Sequence, residues 1–284
     1  MAGGERLSFV QTRLIVVTDL DGTLLDRSDR SFTAAKPALN RLRLLQIPWV
    51  LNSNKTLAEL AVLRNKLVNP YPLILENGTG IALPKGFEDA FFKQPDEEYQ
   101  DQGEFLLKPM GMPRPELLSL LEPAYKDFRF TGFDRMSPHD LCEMIDVDTE
   151  YAEKALDRHF NEPILWRDSE EAFIAFKEWA SGVGLYVSKS YKFVHVSGNA
   201  DKGESMDWLM GCFSDGDSRP LVVALGDNET DLPMLNSADI AVVVRSPRHE
   251  PVAAQGKERT IVTDAIGPAG WNTAVLDLLD IYGS

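Results

Sequence analysis

The sequence predicts an α/β protein whose parallel-sheet core is split by an inserted α+β domain. Short β-branched apolar runs alternate with amphipathic helical stretches near both ends of the chain, which is typical of parallel strands joined by crossover helices. A middle block breaks this alternation and has apolar positions of its own. The length of 284 residues also exceeds that of a usual single domain. We expect a core of residues 1–84 and 198–284 and an inserted domain of residues 85–197.

The first core segment is predicted to alternate between strands and helices. The apolar run from Leu14 to Val17 is too short for a helix and indicates a buried strand. Thr33 is placed to cap a helix, and an Asn-Gly pair between two apolar runs predicts a hairpin. The other predicted elements are a helical face of Leu39, Leu42 and Leu45, a strand at Ile47–Leu51, a helix from about Thr56 with Leu57, Leu60, Ala61 and Val62 on one side, and strands at Pro72–Leu75 and Ile81–Leu83 around the turn Glu76–Thr79.

The middle block and the second core segment complete the predicted fold. Residues 85–104 are acidic and loop-like, and the rest of the block mixes helices with short strands. The predicted elements of the block are helices at Arg114–Tyr125, Pro138–Ile145, Thr149–Phe160 and Glu170–Trp179, and strands at Ile164–Trp166, Leu185–Val187 and Phe193–Val196. Those of the second core segment are strands at Leu221–Leu225 and Ile240–Val244 and helices at Leu232–Leu235 and Trp271–Ile281.

Composition and charge exclude several classes of protein. The net charge of −15 argues against a nucleic-acid partner, because phosphate backbones are bound by stripes of Lys and Arg. The longest apolar runs are too short to span a bilayer, and no signal-peptide segment follows Met1, so we expect a cytoplasmic protein with no membrane partner. Cys142 and Cys212 are far apart in sequence, which indicates neither a disulfide framework nor a thiolate metal site.

The most informative motif, Asp19-Leu20-Asp21-Gly22-Thr23, follows the first predicted strand directly. Open α/β sheets bind their ligands at the carboxyl ends of such strands. Two carboxylates this close repel each other unless a cation or a proton lies with them. The pair is therefore predicted to be a metal site, an acid/base pair, or both. An N-terminal turn with exposed aspartates is the simpler alternative.

A second acidic motif, Gly226–Asp231, follows the strand at Leu221–Leu225. Gly226 permits a sharp exit from the strand, so that Asp227 lies in a strand-end loop and Asp231 at a helix start. Carboxylates at two strand ends of one sheet can share a hard cation, and with few protein ligands Mg²⁺ fits better than Ca²⁺. The alternative for Asp231 is a simple helix N-cap.

Two further loops offer groups that suit a phosphoryl anion. Ser53 lies after the strand at Ile47–Leu51 and before a helix, where its hydroxyl and the first helical N–H groups can hold a phosphoryl oxygen. A capping role alone would also explain this serine. Lys202 follows the inserted block and could neutralise both phosphate and carboxylates, although a lone lysine is usually a solvated surface charge.

The four loops, in the order Asp-X-Asp-Gly-Thr, Ser, Lys and Gly-Asp-X-X-X-Asp, resemble the motifs of the haloacid dehalogenase superfamily. The insertion between the Ser and Lys motifs looks like the second cap class of that superfamily, which implies a Rossmann-like core and a cap that selects a sugar phosphate. Within the superfamily the chain is most similar to the mannosyl-3-phosphoglycerate phosphatase family, in the stretches Asn52–Thr56, Glu76–Gly78, Thr131–Ser137, Arg158 to Pro163, Lys192–His195 and Asp201–Gly203. That family usually has Gly-Arg-Phe where this chain has Tyr191-Lys192-Phe193, and lysine cannot make the two-pronged carboxylate contact of arginine.

The resemblance implies a two-step phosphoryl transfer. Asp19 would attack phosphorus, and Asp21 would act as general acid and then as general base. Asp19, the Asp21 carbonyl and Asp227 would bind Mg²⁺, with Asp231 supporting the metal or Lys202. Ser53 and Lys202 would hold the phosphoryl oxygens.

The residues expected to contact substrate lie in the core loops and in the cap. They are Asn54, Lys55, Asn77, Gly78 and Asn228 in the core, and Arg135, Arg158, Lys189, Lys192 and His195 in the cap. The expected activity is Mg-dependent hydrolysis of a small phosphorylated sugar or sugar acid, with mannosyl-3-phosphoglycerate, cleaved to mannosylglycerate and phosphate, as the expected substrate. The alternatives are glucosyl-3-phosphoglycerate, sugar phosphates in general, a phosphomutase reaction and a non-catalytic binding module.

Overall fold

The computed structural model describes residues 14–87, 99–190, 192–214 and 219–283, so that most of the predicted acidic loop and Tyr191 lie outside the described residues. Its strands are β1 (Leu14–Thr18), β2 (Trp49–Asn52), β3 (Leu73–Leu75), β4 (Gly80–Pro84), β5 (Gln100–Gln102), β6 (Phe105–Pro109), β7 (Phe130–Gly132), β8 (Asn161–Trp166), β9 (Tyr186–Lys189), β10 (Val194–Ser197), β11 (Leu221–Gly226), β12 (Ile240–Arg245) and β13 (Arg259–Ile266). Its α-helices are α1 (Lys36–Leu44), α2 (Leu57–Leu67), α3 (Arg114–Leu121), α4 (Pro138–Ile145), α5 (Thr149–Leu156), α6 (Glu170–Gly182), α7 (Lys202–Cys212), α8 (Leu232–Ser237) and α9 (Gly267–Tyr282).

The larger sheet forms the core, and its described strands run in the order β13-β12-β11-β1-β2-β3-β4-β6-β5. Strand β1 pairs in parallel with both β11 and β2, whereas β4, β5 and β6 join the sheet antiparallel. Strands β2 to β6 lie on one side of β1, and strands β11 to β13, which follow the inserted domain in the sequence, lie on its other side. The strand order therefore reverses at β1, and a crevice forms at the carboxyl ends of β1, β2 and β11.

The smaller sheet lies in the inserted domain, with the antiparallel order β7-β8-β10-β9. Helices α3 and α6 cover it with their apolar side chains, among them Leu117, Leu121 and Phe176, which are fully buried. A separate small apolar cluster joins α4 and α5. The prediction of an α/β core with an inserted α+β domain is confirmed.

Glu76 ties the inserted domain to the core. Its carboxylate is fully buried and accepts hydrogen bonds from the backbone N–H groups of His159 at 2.8 Å, Phe160 at 3.0 Å and Asn161 at 2.9 Å. Several N–H groups that converge on one ionised carboxylate stabilise its charge, and each such bond is stronger than a neutral one. The loop between α5 and β8 is thus fixed to the turn that follows β3.

Residues 100–109 belong to the core sheet, so the prediction that residues 85–104 are loop-like is wrong for β5. Strand β6 pairs with β4 along its length, and β5 covers the outer edge of β6. Phe105 and Leu107 are buried while Leu106 between them and Lys108 after them are partly exposed, as expected for a strand with one covered face. The composition of β5, Gln-Asp-Gln, gives no apolar signal because both faces of this edge strand are largely exposed.

Other element predictions are wrong at their edges. Thr33 does not cap a helix, because a 3₁₀ turn over Thr33–Ala35 precedes α1 and no side chain caps it. Leu45 ends the apolar pattern but is 41% exposed. Strand β13 was not predicted, since most of its side chains are polar or exposed and it pairs with β12 along one edge. In the described part of the chain, no helix is both long and apolar enough to span a membrane.

Trp271 of α9 supports the end of β1. Its indole Nε1 donates to Thr18 Oγ1 at 2.9 Å, and Thr18 Oγ1 donates to the Asp19 carbonyl at 2.7 Å, all three residues being buried. Replacing Trp271 with Phe removes the first donor, leaves a buried hydroxyl less satisfied and opens a small cavity where the larger indole packs. We expect Trp271→Phe to lower the free energy of unfolding by about 2–4 kcal/mol in urea titration, of which the hydrogen bond accounts for about 1–2 kcal/mol.

The matched control is Trp166→Phe. The Trp166 indole donates to Ser169 O at 3.2 Å at an exposed site, where water can replace the lost bond. We expect a smaller loss there, and an equal loss in the two variants would contradict a special role for the Trp271 bond.

Candidate active site

Carboxylates from two neighbouring strands meet in the crevice at β1. Asp19 follows β1, and its N–H donates to the Leu225 carbonyl of β11 at 2.9 Å; Asp227 directly follows β11. Asp19, Asp227 and Asp231 are all buried, and each offers one ligand atom within 4.8 Å of the others. The two acidic motifs of the sequence therefore form one site.

Lys202 lies between two of these carboxylates. Its Nζ donates to Asp19 Oδ1 at 2.6 Å and to Asp231 Oδ1 at 2.7 Å, and the Lys202 side chain is 1% exposed. Burial and the nearby Asp231 raise the pKa of Asp19 to about 6, although Lys202 opposes the rise. Burial lowers the pKa of Lys202, but the two carboxylates outweigh it and the pKa is raised. Lys202 is therefore a charged partner of the carboxylates and not a solvated lysine.

The start of α7 is built to hold Lys202 in place. The Asp201 carboxylate caps the helix by accepting from the N–H groups of Gly203 at 2.8 Å and Glu204 at 2.9 Å. Gly78 approaches so closely that a Cβ there would lie 2.1 Å from the Asp201 carbonyl, and its φ of +91° also favours glycine. Asn77 N–H donates to the Ser53 carbonyl at 2.9 Å. The predicted pair Asn77 and Gly78 thus lies between the Ser53 and Lys202 loops.

Both oxygens of Asp231 have protein partners. Oδ1 accepts from Lys202, and Oδ2 accepts from the N–H groups of Asp227 at 2.9 Å and Asn228 at 3.1 Å. The side chain of Asn228 caps the following 3₁₀ turn and donates from Nδ2 to Asp227 Oδ1 at 2.9 Å. Asp231 thus orients the loop and shares Lys202, while Asn228 orients Asp227.

The donor set fits a hard divalent cation. The ligand atoms offered by Asp19 and Asp227 are carboxylate oxygens, which Mg²⁺ prefers to nitrogen or sulfur. Arg27, which the sequence analysis missed, donates to Asp227 Oδ2 at 2.5 Å. Burial and Asp19 raise the pKa of Asp227, and Arg27 opposes that rise.

Asp21 is held by a lysine of its own. Lys55 Nζ donates to Asp21 Oδ2 at 2.7 Å, with the Asp21 side chain 33% exposed and that of Lys55 9% exposed. Partial burial favours protonated Asp21, but Lys55 outweighs it and keeps the pKa below its ordinary value. The Lys55 ammonium group also donates to the hydroxyl of Tyr151 of α5, at 3.3 Å. A residue of the inserted domain thus reaches the core motif.

Ser53 lies between β2 and α2, the position that the sequence predicts, and its side chain is buried. Its N–H donates to the Ile74 carbonyl at 3.0 Å, and its Oγ accepts weakly from the Lys55 N–H at 3.4 Å. Thr56 supplies the cap of α2 through a capping box with Glu59, so Ser53 is not needed for capping. The Ser53 hydroxyl therefore remains available to a ligand.

Arg158 and His195 join a polar network at the boundary of the two domains. Arg158 donates from Nη2 to the Asn54 carbonyl at 3.2 Å and from Nη1 to Asn161 Oδ1 at 3.4 Å. His195 contacts Asn161 Oδ1 through Nδ1 at 3.1 Å and the Ser190 hydroxyl through Nε2 at 3.2 Å. Burial, with the charges of Arg158 and Lys202 nearby, lowers the pKa of His195 to about 3. His195 is neutral at pH 7.

The other cationic candidates in the cap are engaged on its surface. Arg135 pairs with Glu122 at 2.6 Å, and Lys189 pairs with Glu170 at 3.4 Å. Lys192 donates to the Met144 carbonyl. Their contact with a substrate stays a prediction.

The sequence did not predict four residues that lie near the carboxylates: Arg27, Arg30, Tyr151 and His249, whose Nε2 lies 3.8 Å from Asp227 Oδ2. The guanidinium of Arg30 lies over the Tyr151 ring at 4.6 Å from its centroid. Arg27 and Arg30 follow the first acidic motif in a stretch without apolar periodicity, and Tyr151 is one of several aromatic residues on predicted helices. Each is an ordinary surface residue by sequence, so that only the fold identifies it.

Two curated proteins are similar to this chain over most of its length. No protein-family model matches the chain. A glucosyl-3-phosphoglycerate/mannosyl-3-phosphoglycerate phosphatase of Methanococcoides burtonii is 31% identical over 269 residues, which are 93% of this chain and 97% of the relative. A protein of the same name from Persephonella marina is 30% identical over 271 residues, 94% of this chain and 97% of the relative.

Solved structures share the fold. A phosphatase of the haloalkanoate (HAD) superfamily from Bacteroides thetaiotaomicron has a TM-score of 0.63 at 17% identity and covers 99% of each chain. A HAD subclass IIB sugar phosphatase has a TM-score of 0.58 at 15% identity, over 95% of this chain and 98% of that chain. The two relatives, both at least 30% identical over most of each chain, show the family, and the solved structures show the fold.

The Lys202 contacts give a stability prediction. Lys202→Met leaves Asp19 and Asp231 buried without their shared cation, so we expect the free energy of unfolding at pH 7 to fall by about 3–5 kcal/mol. Lys202→Met combined with Asp231→Asn removes one of the two charges and should recover part of the loss. Urea titration measures both, with Lys85→Met, which breaks an exposed pair with Asp101, as the control with a change below about 1 kcal/mol. Equal losses in the single and double variants would contradict the charge argument.

The buried His195 gives a pH prediction. Its pKa is about 3 in the folded chain and about 6.5 in the unfolded chain, so the unfolded state binds more protons in between. The His195 contribution to stability is therefore complete above pH 6.5 and decreases as the pH falls towards 3. We expect His195→Gln to lose less stability than the wild type between pH 7 and pH 5, by urea titration at both pH values. His139→Gln, at an exposed histidine beside Glu143, should keep the wild-type difference; the same pH dependence in His195→Gln and wild type would refute the assignment.

Proposed function

We propose, since this chain belongs to the glucosyl-3-phosphoglycerate/mannosyl-3-phosphoglycerate phosphatase family of the HAD phosphatases, that it hydrolyses these two phosphomonoesters, or one of them, to the glycosylglycerate and phosphate. The chain is a phosphatase by this membership. The identity of the sugar in the substrate and the mechanism described below are part of the proposal.

One observation carries the mechanistic part of this proposal: two aspartates at the end of β1 are each held by a separate lysine. Asp19 lies 2.6 Å from Lys202, and Asp21 lies 2.7 Å from Lys55. Neighbouring carboxylates in different environments can take different roles, one as nucleophile and the other as acid and base. A purely structural turn would require neither lysine.

In the first step, an oxygen of Asp19 attacks phosphorus and forms an aspartyl phosphate. The bond from phosphorus to the substrate oxygen breaks as Asp21 gives its proton to that oxygen and the alcohol leaves. Asp21 takes up this proton when the anionic substrate binds beside it, since Lys55 outweighs burial and keeps the Asp21 pKa below the ordinary value in the structure, and the negative phosphoryl group opposes that effect. Lys202 and Ser53 are proposed to hold the other phosphoryl oxygens. The buried Lys202 charge acts strongly here, because little water screens it.

In the second step, water attacks the phosphorus of the aspartyl phosphate. Asp21, now deprotonated, takes a proton from this water, and the bond between phosphorus and Asp19 breaks to release phosphate. Both aspartates return to their starting states, so the cycle consumes one water for each ester. Asp231 keeps Lys202 and the Asp227 loop in place throughout.

Mg²⁺ is the proposed cofactor, in keeping with HAD phosphatases in general. Asp19, Asp227 and the Asp21 carbonyl would hold it, and its charge would offset the repulsion between the Asp19 carboxylate and the phosphate dianion. Asn228, which donates to Asp227 Oδ1, and Arg27, which donates to Oδ2, orient this carboxylate.

The direct test is phosphate release from mannosyl-3-phosphoglycerate, glucosyl-3-phosphoglycerate and simple sugar phosphates, with and without Mg²⁺. We expect metal-dependent release, with kcat/KM for a glycosyl-3-phosphoglycerate exceeding that for simple sugar phosphates by at least about tenfold, or about 1.4 kcal/mol in transition-state binding. Asp19→Asn should abolish release because the amide cannot form the aspartyl phosphate.

Asp280→Asn is the control, because this exposed aspartate pairs with Arg41 on the surface and should keep wild-type turnover. Equal activity towards all the sugar phosphates would refute the proposed substrate. Full activity of Asp19→Asn would refute the proposed nucleophile.

A further inference from the structure

Asp21 borders a cluster of three side chains that comes from both domains: Lys55 and Arg30 of the core and Tyr151 of the inserted domain. Lys55 Nζ lies 2.7 Å from Asp21 Oδ2 and 3.3 Å from the Tyr151 hydroxyl. The Arg30 guanidinium lies 4.6 Å from the centroid of the Tyr151 ring. We call these three residues the Lys55 cluster.

The inserted domain is fixed at this point by a second contact. Thr56 Oγ1 donates to the Lys154 carbonyl at 2.7 Å, one turn along α5 from Tyr151. The start of α2 and the middle of α5 are thus in direct contact. Tyr151 is held over Lys55 by this packing.

The charges of the cluster favour an anion. Glu59 is the nearby acidic group besides Asp21, but its carboxylate serves the capping box of α2 and lies at the positive end of that helix. Glu59 adds negative charge near Lys55 and Tyr151. Among the described residues, Asp21 is the carboxylate in direct contact with the Lys55 ammonium, and the guanidinium of Arg30 adds a second positive charge over the Tyr151 ring. Lys55 is nearly buried and Arg30 is exposed, so that the two cations reach from the site towards solvent.

The covalent structure of the proposed substrate also places its carboxylate near Lys55. In a 3-phosphoglycerate the carboxylate is separated from the ester oxygen by two carbon atoms, so its oxygens lie within about 3–5 Å of that ester oxygen. The ester oxygen must lie within hydrogen-bonding distance of Asp21 to receive its proton. Lys55, which contacts Asp21, is therefore within reach of the carboxylate.

The cationic candidates of the cap are less suited to this role. Arg135 and Lys189 pair with glutamates on the surface, and Lys192 donates to a backbone carbonyl. The guanidinium of Arg158 is shared among three oxygens of the protein. A substrate carboxylate would have to displace these partners. The Lys55 ammonium has three N–H donors, so it can bind the substrate carboxylate while it keeps its hydrogen bond to Asp21.

We propose that the Lys55 cluster is the subsite for the carboxylate of the leaving group. Lys55 and Arg30 bind the carboxylate, and Tyr151 positions Lys55 from the cap. This inference rests on the proposed function and adds to it the residues that distinguish a phosphorylated sugar acid from a neutral sugar phosphate.

The test compares two substrates: mannosyl-3-phosphoglycerate and the same ester with its carboxylate reduced to a hydroxymethyl group. The ratio of their kcat/KM values is the carboxylate preference, and an effect of Lys55 on Asp21 alone changes both values equally and cancels. We expect Lys55→Met to reduce the preference by about 10- to 100-fold, as for the loss of a hydrogen bond to a charged group. Arg30→Gln and Tyr151→Phe should reduce it less, mainly through KM for the carboxylate ester.

Two controls separate this role from a structural one. Lys55→Arg keeps the positive charge and should keep most of the preference. Lys154→Gln removes a positive charge from the same helix as Tyr151, but the Lys154 ammonium faces Glu150 at 2.6 Å and not the site, so the preference should stay at the wild-type value.

A preference that is unchanged in Lys55→Met, with both substrates slowed alike, would overturn the subsite and leave the proposed function intact. A wild type that hydrolyses the two esters equally well would also overturn it. A wild type that hydrolyses neither, while it releases phosphate from other sugar phosphates, would refute the proposed substrate and the subsite together.

Discussion

The structure depends on one buried ammonium group. Lys202 lies between Asp19, from the segment before the insertion, and Asp231, from the segment after it, at 2.6 and 2.7 Å. Without this charge, two buried carboxylates would repel each other, and the pKa of Asp19, which burial and Asp231 already raise, would rise further. The capped start of α7, the close approach of Gly78 and the Asp231 loop all serve to keep the ammonium group at this point. The stability of the site and the proposed chemistry therefore depend on the same three residues.

The inserted domain meets the core at two places of different character. At Glu76, one buried carboxylate binds three consecutive backbone N–H groups of the α5–β8 loop, a contact that water cannot easily replace. At α5, Tyr151 and the Lys154 carbonyl touch Lys55 and Thr56 through partly exposed polar contacts. The first contact anchors the domain, and the second brings a side chain of the inserted domain close to Asp21.

The sequence predicts the fold class and the acidic loops, because buried parallel strands and strand-end aspartates leave strong local patterns. The positions of Asp19 and Asp227 at strand ends follow from the alternation of strands and helices, whereas Lys202 stands out only through its place after the insertion and the resemblance of the four motifs. The edge strands β5 and β13 leave no such pattern, since their side chains are polar or exposed. The sequence also could not predict which side chains contact these carboxylates. Arg27, Arg30 and Tyr151 owe their roles to contacts across more than 90 residues of chain, which no local spacing encodes.

The separation of 183 residues between Asp19 and Lys202 has a consequence for the nascent chain. Synthesis at about 5–20 residues per second delays the arrival of Lys202 by roughly 10–40 s after Asp19 leaves the ribosome. During this time β1 has neither its partner β11 nor a cation for its carboxylate, because both are encoded after the insertion. β1 can pair with β2 during this time, but its other edge stays unpaired, while the inserted domain can assemble its own apolar clusters. The order of translation thus allows the inserted domain to fold before the contact between Asp19 and Lys202 can form.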